Sequence, residues 1–373
     1  MKIAFLNELV YQYATGAPSA AGGAERQQWL LARALAAAGW QVTVGVRRWL
    51  DPERRVDIDG VEFVGLSDRQ ILWAWWRFLL SEKPDWLYWR CANHLLGPAV
   101  ALARLAGART IFAVALDRDV DVRHALFLRR RWWPLYYLGL AWTNRIFVQS
   151  RRQLRGLPPR WRAKACVIPS IAPASASALP HARRTGHVAW VAQLREVKRP
   201  DLLSQIAGQL PTIRFVVCGG STHYMSSPGY GERVGDALRA LPNVDYRGQV
   251  PPDEALRVIS DAAALLATSD EEGFPNTFLH AWSAGTPVIS LRIDPDHVIE
   301  RYGLGVVTGD VKGAVAAIRT LTEEPERREN IAARARRYVI DHHGEAAAVR
   351  ALTSAIAPVA SGNFRYRPSV PQI

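Results

Sequence analysis

The strongest constraint on this chain is a repeated alternation of strand, turn and helix, interrupted once by a stretch with no periodicity. Before the interruption, 2–6 reads as a strand and 14–23 as a loop of small residues ending in Gly22-Gly23. Residues 24–38 read as a helix with Leu31, Leu35 and Ala38 on one face, and 41–46 as the next strand. Further strands are expected at 61–64, 86–89, 110–115 and 146–148, with helices over 70–80 and 96–105. After it, strands are expected at 188–192, 214–218, 244–246 and 263–267, and helices at 200–210, 230–241, 253–260, 311–321 and 325–341. The interruption itself, 171–185, is rich in Ala, Ser and Pro, as a linker is. Such alternation builds parallel βαβ units, and 373 residues suffice for two cores. The expected architecture is α/β, with two doubly wound Rossmann-like domains facing a cleft. The boundaries read as 1–168, a linker at 169–186, 187–345, a helix near 346–360 that packs back on the first domain, and a polar tail at 361–373.

Charge narrows the partner. A formal net charge of +13 suits an anion: nucleic acid, an acidic membrane surface or a phosphorylated small molecule. No nucleic-acid-binding motif accompanies the charge, so that class ranks last. Arg129-Arg130-Arg131-Trp132-Trp133 and the arginines that follow it make 123–164 a candidate contact for anionic lipid, set against a buried helix with a basic solvated end. Cys91, Cys166 and Cys218 are widely separated and read as structural thiols. The short apolar start of the chain is too brief for a signal peptide, and no run approaches the length of a membrane span. The expected location is cytoplasmic, with a peripheral membrane contact as an option. No cofactor or metal is expected.

The chemistry concentrates at 269–290. Gly273 and Pro275 break regular structure after Glu271-Glu272, Asn276 or Thr277 is placed to cap a helix, and Gly285 supplies its stop. Free amides at a helix start beside a carboxylate suit a ligand with both phosphate and hydroxyl groups. A second acidic loop, with Asp117, Asp119 and Asp121, follows the strand at 110–115, where open α/β sheets place ligands. It reads equally as a solvated loop.

Four segments in this order resemble the family 4 retaining glycosyltransferases of GT-B fold. They are Gly22-Gly23-Ala24-Glu25-Arg26, 194–200 around Lys198, 241–248, and 272–280. The resemblance implies that Glu272 lies near the transferred sugar and that Lys198 stabilises the departing diphosphate. It implies donor contacts from Gly22, Gly23, Gln193, Arg195, Lys198, Gly220, Gly248, Glu272, Gly273, Phe274, Asn276, Thr277 and His280. Two positions depart from the pattern. His280 stands where the family has a second glutamate for the ribose, and Gln193 where it often has an arginine. In place of the family's histidine in the first domain, Asp117 or Asp119 is the substitute candidate.

The expected activity is transfer of a sugar from a nucleoside diphosphate sugar to a glycan or lipid-linked acceptor, in polysaccharide or cell-envelope assembly. One alternative is a degenerate, non-catalytic scaffold that binds sugar nucleotide or membrane glycan. Another is a metal-dependent transferase using the Asp117–Asp121 loop.

Overall fold

Apolar runs of four to six residues become parallel strands because both faces of each sheet are covered. The computed structural model describes residues 1–17, 22–126, 129–172, 186–222 and 226–357. The first half contributes β1 (Lys2–Phe5), β2 (Gln41–Val46), β3 (Arg55–Ile58), β4 (Val61–Gly65), β5 (Trp86–Arg90), β6 (Arg109–Ala113), β7 (Arg145–Val148) and β8 (Ala165–Val167). They form one sheet in the order β3-β4-β2-β1-β5-β6-β7-β8. All pairs are parallel except the edge pair β3–β4. That hairpin was not foreseen. Asp59 and Gly60, both at positive φ, make its two-residue turn, and the half-polar β3 lacks the apolar run that marks the inner strands.

The second half contributes β9 (Val188–Val191), β10 (Phe215–Cys218), β11 (Val244–Gly248), β12 (Ala264–Ala267), β13 (Val288–Ser290) and β14 (Gly305–Val307). Their order is β11-β10-β9-β12-β13-β14, parallel throughout. The strand order reverses between β1 and β5 in the first sheet and between β9 and β12 in the second. At such a reversal the connecting loops diverge and leave a crevice at the carboxyl ends of the strands.

Four apolar clusters fill the spaces on either side of the two sheets. Several tryptophans belong to these cores and not to a surface: Trp86, Trp190 and Trp282 are fully buried. The helix Glu345–Ile356 lies away from the second sheet, and its Ala348, Leu352 and Ile356 complete the first cluster beside the helix Gly23–Ala37. Arg145 Nε ties it down by donating to the Ala355 carbonyl at 2.8 Å. Most of the expected linker, and the tail, lie outside the described residues. At 171–172 the chain is pinned, with Ile171 and Ala172 buried and the Ala172 N–H donating to the His343 carbonyl. The three cysteines are free, Cys218 buried and the others half-buried. No described helix is long and apolar enough to cross a membrane.

Candidate functional site

The loops after β9 and β12 meet at the reversal point of the second sheet. After β9 the chain turns through a short 3-10 segment, Glu196–Lys198, and Arg199 takes a left-handed conformation before Pro200 starts the next helix. This turn aims Lys198 at the loop after β12, where its ammonium pairs with Glu272 Oε1. Ser269 Oγ donates to the same oxygen at 2.9 Å. Thr268 Oγ1 donates to the Lys198 carbonyl at 2.6 Å and accepts from buried Trp190 Nε1 at 2.9 Å. The Asp270 N–H donates to the Val197 carbonyl at 2.9 Å. Both charges of the pair are therefore held by the backbones that carry them, and each is mostly shielded from solvent.

Past Gly273, the helix Asn276–Ala284 runs away from the pair and stops at Gly285, whose φ is 76°. Neither Asn276 nor Thr277 caps it. Its N-cap is Pro275, whose apolar ring cannot accept from the first N–H groups, and Asn276 Oδ1 instead accepts from Gln27 Nε2 at 2.9 Å. Phe274 can meet a donor only through its main chain. Its ring is buried between Trp282 and His343, at centroid distances of 6.2 and 4.9 Å, so only its backbone faces the loop. On the other flank, Gly219-Gly220 after β10 and Gly248 at the end of β11 sit beside the Gln193–Arg195 turn. The Leu194 N–H donates to the Gly220 carbonyl, and the Gly219 N–H to the Gly248 carbonyl. Gln193 is exposed and Arg195 half-buried.

The first domain closes over this site. A Cβ on Gly23 would collide with the Asn276 amide, and one on Gly273 with the Ala115 carbonyl and, at 2.5 Å, with the Gln149 amide. With that amide turned to donate to Ala115 O at 3.0 Å, Gln149 accepts from Ser170 Oγ at 2.8 Å and Arg90 Nη2 at 2.9 Å. Arg118 pairs with Glu271 at 3.0 Å across the cleft, which leaves Glu272 as the glutamate engaged by Lys198. Asp296 accepts from the Arg151 and Arg152 N–H groups at 2.7 and 3.1 Å.

His280 faces the first domain too. Arg26 Nη1 lies 3.1 Å from its Nδ1. A guanidinium can only donate, so Nδ1 accepts, the ring is neutral and Nε2 carries the hydrogen. Burial, then the nearby Arg26 charge, holds the imidazole well below its usual pKa. Nε2 is buried without a partner among the described residues. Arg26 closes the glycine-loop segment Gly22–Arg26, but neither it nor Gln27 carries an expected role there, although both stand one helical turn after Gly22-Gly23.

The acidic loop after β6 does not present three carboxylates to the cleft. Asp119 turns inward, accepting from the Ala115 and Leu116 N–H groups at 2.8 and 3.0 Å, and burial lifts its carboxyl to about 6. Asp121 binds His124 at 2.8 Å. Asp117 accepts from Gln153 Nε2 at 3.1 Å and pairs with Arg152 at 3.2 Å. The three point to separate partners, so no acid-x-acid metal site is assembled. Asp117, half-buried near Glu271 and Glu272, is the one left beside the site.

Two Rossmann-like domains closing on a lysine–glutamate pair define a GT-B protein. The first domain matches the family model "Glycosyl transferase 4-like domain" over residues 22–170, and the second matches "Glycosyl transferases group 1" over 185–324. The chain belongs to the group 1 (family 4) glycosyltransferases. Among curated relatives, the D-inositol 3-phosphate glycosyltransferase of Mycobacterium leprae is 32% identical over 121 residues, 31% of this chain. The match spans only 28% of that relative's length. The fold is similar to sucrose-phosphate synthase of Thermosynechococcus elongatus, with a TM-score of 0.72, 18% identity and coverage of 93% and 96% of the two chains. HepE of Anabaena, solved with UDP-glucose, gives a TM-score of 0.71 at 14% identity over 95% of this chain and 100% of that one. The lipopolysaccharide glycosyltransferase WaaG gives 0.66 at 16% identity, also over 95% and 100%.

Proposed function

We propose that the protein transfers a sugar from a nucleoside diphosphate sugar to a glycan or lipid-linked acceptor, with retention at the anomeric carbon. The observation that carries this reading is the Lys198–Glu272 pair, held at the reversal point of the second sheet and covered by the first domain. When the glycosidic C–O bond of the donor breaks, its electron pair stays on the diphosphate, which gains a negative charge. Lys198 is the cation placed to follow that charge, and the N-terminus of the helix Asn276–Ala284 adds aligned N–H groups. Glu272 is then released to accept from sugar hydroxyls. The acceptor hydroxyl bonds to the anomeric carbon, and its proton passes to the leaving phosphate.

His280 gives the donor site a different polarity from that of the second glutamate in the family pattern. A carboxylate would accept from both ribose hydroxyls. The neutral imidazole cannot do so: Nδ1 is taken by Arg26 and Nε2–H is buried, so ribose recognition here must differ from a carboxylate clamp. Donors resembling the UDP-glucose bound by HepE are the first to test. The work of these sites belongs at a cytoplasmic membrane face, where envelope or polysaccharide precursors are assembled.

The test is turnover of a panel of nucleoside diphosphate sugars by the purified chain. Lys198→Ala and Glu272→Ala should each lower turnover by roughly one to two orders of magnitude, the worth of a charge-assisted hydrogen bond. Full activity in both variants would sink the assignment. Turnover should also survive EDTA.

A further inference from the structure

A basic pocket on the first domain lies apart from the lysine–glutamate pair. It opens at the carboxyl ends of β5 and β6, has a volume of about 710 Å³, and is lined by His94, Arg129, Arg130, Arg131, Trp132 and Leu135. No carboxylate lines it, and among the described residues none of its three arginines forms an ion pair. The three guanidinium groups stand at successive, solvent-exposed positions on the pocket rim. Here each is braced by a group that cannot neutralise it. Arg129 donates to His94 Nε2 at 3.0 Å, Arg130 to His124 Nε2 at 3.0 Å, and Arg131 lies over the Trp132 ring at 5.4 Å. His94 is held below its ordinary pKa by burial and by Arg129, so it accepts as a neutral ring. Un-neutralised guanidinium forks around one pocket match a tetrahedral oxyanion.

The pocket is tied to the catalytic edge. His124, which braces Arg130, is itself held by Asp121, on the loop whose Arg118 pairs with Glu271. Its other side continues into the helix layer Ile71–Glu82, Leu96–Leu105 and Trp133–Trp142. The outward face of that layer exposes Trp73, Leu105, Trp132, Trp133, Leu138 and Trp142, between 36% and 75% accessible. Exposed indole rings flanking a cationic pocket are what a protein presents to the headgroup region of a bilayer.

We propose that this pocket binds the phosphate of a lipid-borne acceptor while the adjoining tryptophan face rests on the bilayer, so that the acceptor is a phospholipid-type anion and not a neutral glycan. This rests on the glycosyltransferase reading above and refines its acceptor. Phosphate and diphosphate both fit the chemistry. The lipid source is favoured because the apolar face continues directly from the pocket rim.

The experiment uses the full chain with saturating UDP, so that the donor phosphate site is filled. Sedimentation with phosphatidylcholine vesicles containing phosphatidic acid is compared with vesicles containing phosphatidylglycerol at matched surface charge. The wild type should prefer the phosphomonoester lipid, and inorganic phosphate should displace it only weakly. Combined Arg129→Gln, Arg130→Gln and Arg131→Gln should weaken binding to phosphatidic acid by about tenfold or more. Combined Lys312→Gln, Arg319→Gln and Arg350→Gln, an equal loss of charge far from the pocket, should leave the preference intact. All six positions are exposed, so the melting temperature of each variant provides the check on folding. Equal losses in both triple variants would reduce the effect to net charge and overturn the proposal. So would no preference between the two lipids, or free phosphate binding as tightly as the lipid. A chain that sediments as expected but neither binds UDP nor turns over any donor would refute the transferase reading while leaving the pocket assignment standing.

Discussion

Gly273→Ala isolates the closure of the two domains from every other property of the site. Gly273 does not have a positive φ, so alanine fits its backbone without strain. The added methyl instead meets the first domain: the Gln149 amide at 2.5 Å, Gln153 Nε2 at 3.0 Å, and the Ala115 carbonyl closer than either. Real Cβ atoms essentially never lie closer than 3.0 Å to another non-bonded heavy atom, so the Gln149 contact alone falls short by about 0.5 Å. Gln149 is buried and hydrogen-bonded to Ser170, and Ala115 is main chain, so neither yields as a free side chain would. Overpacking of this kind costs about 1–3 kcal/mol. Charged to the closed arrangement alone, that shifts the closed-to-open ratio by about 5- to 150-fold. Turnover should fall within that range. The individual domains should keep their folds, since the methyl touches no core cluster. Steady-state kinetics checks the first expectation, and small-angle scattering checks whether the chain has become more extended. Wild-type turnover with an unchanged scattering profile would refute the view that this contact is made in the reacting enzyme.

Four further outcomes follow from the same geometry. Removing one partner of the Lys198–Glu272 pair strands the other in a mostly shielded position, so Lys198→Met should melt lower than the double variant with Glu272→Gln, as a thermal double-mutant cycle would reveal. Leu352→Ala, which empties a fully buried position of the first core from a helix at the far end of the chain, should cost about 2–5 kcal/mol in denaturant unfolding. Asp296→Ala removes the acceptor for two N–H groups across the cleft and should cost about 1 kcal/mol by the same measurement. Burial lowers His343 to about 4, so the native state excludes a proton that the unfolded chain takes up near 6.5; stability should fall as pH drops from 6.5 towards 4, and His343→Gln should flatten that slope. Buried Asp119, raised to about 6, works in the opposite sense, losing stability as pH rises from about 4 to 6, so single variants are needed to separate the two.

Most of the fold was legible because inner strands such as Phe215–Cys218 and Ala264–Ala267 are unbroken apolar runs, and helices such as Val311–Glu323 carry a clear apolar stripe. What escaped was short or half-polar: the edge strand Arg55–Ile58, the strand Gly305–Val307, and the helix Leu9–Ala14. Within the site, residue type and the helix start after Gly273 drew attention to Glu271-Glu272, while Lys198 and the choice of Glu272 came from the resemblance to the family. The cross-domain partners did not stand out. Nothing local to Arg26, Gln27 or Gln149 signals that each meets a residue at the cleft, because those meetings depend on how two separately folded units come together. Asp119 misled for a related reason. Its place at a strand end suggested the cleft, whereas only the turn of the following loop brings its carboxylate onto two backbone N–H groups.

The return of the helix Glu345–Ile356 to the first domain bears on the order in which the protein is made. As the chain leaves the ribosome, the first eight strands emerge with Trp29, Leu31 and Leu35 still missing the cover that Ala348, Leu352 and Ile356 provide. That apolar surface stays open through synthesis of the entire second domain. The first domain must therefore wait, partly finished, for the last described helix, and the two halves cannot be expressed apart at the natural boundary without leaving one of them with an unsealed core.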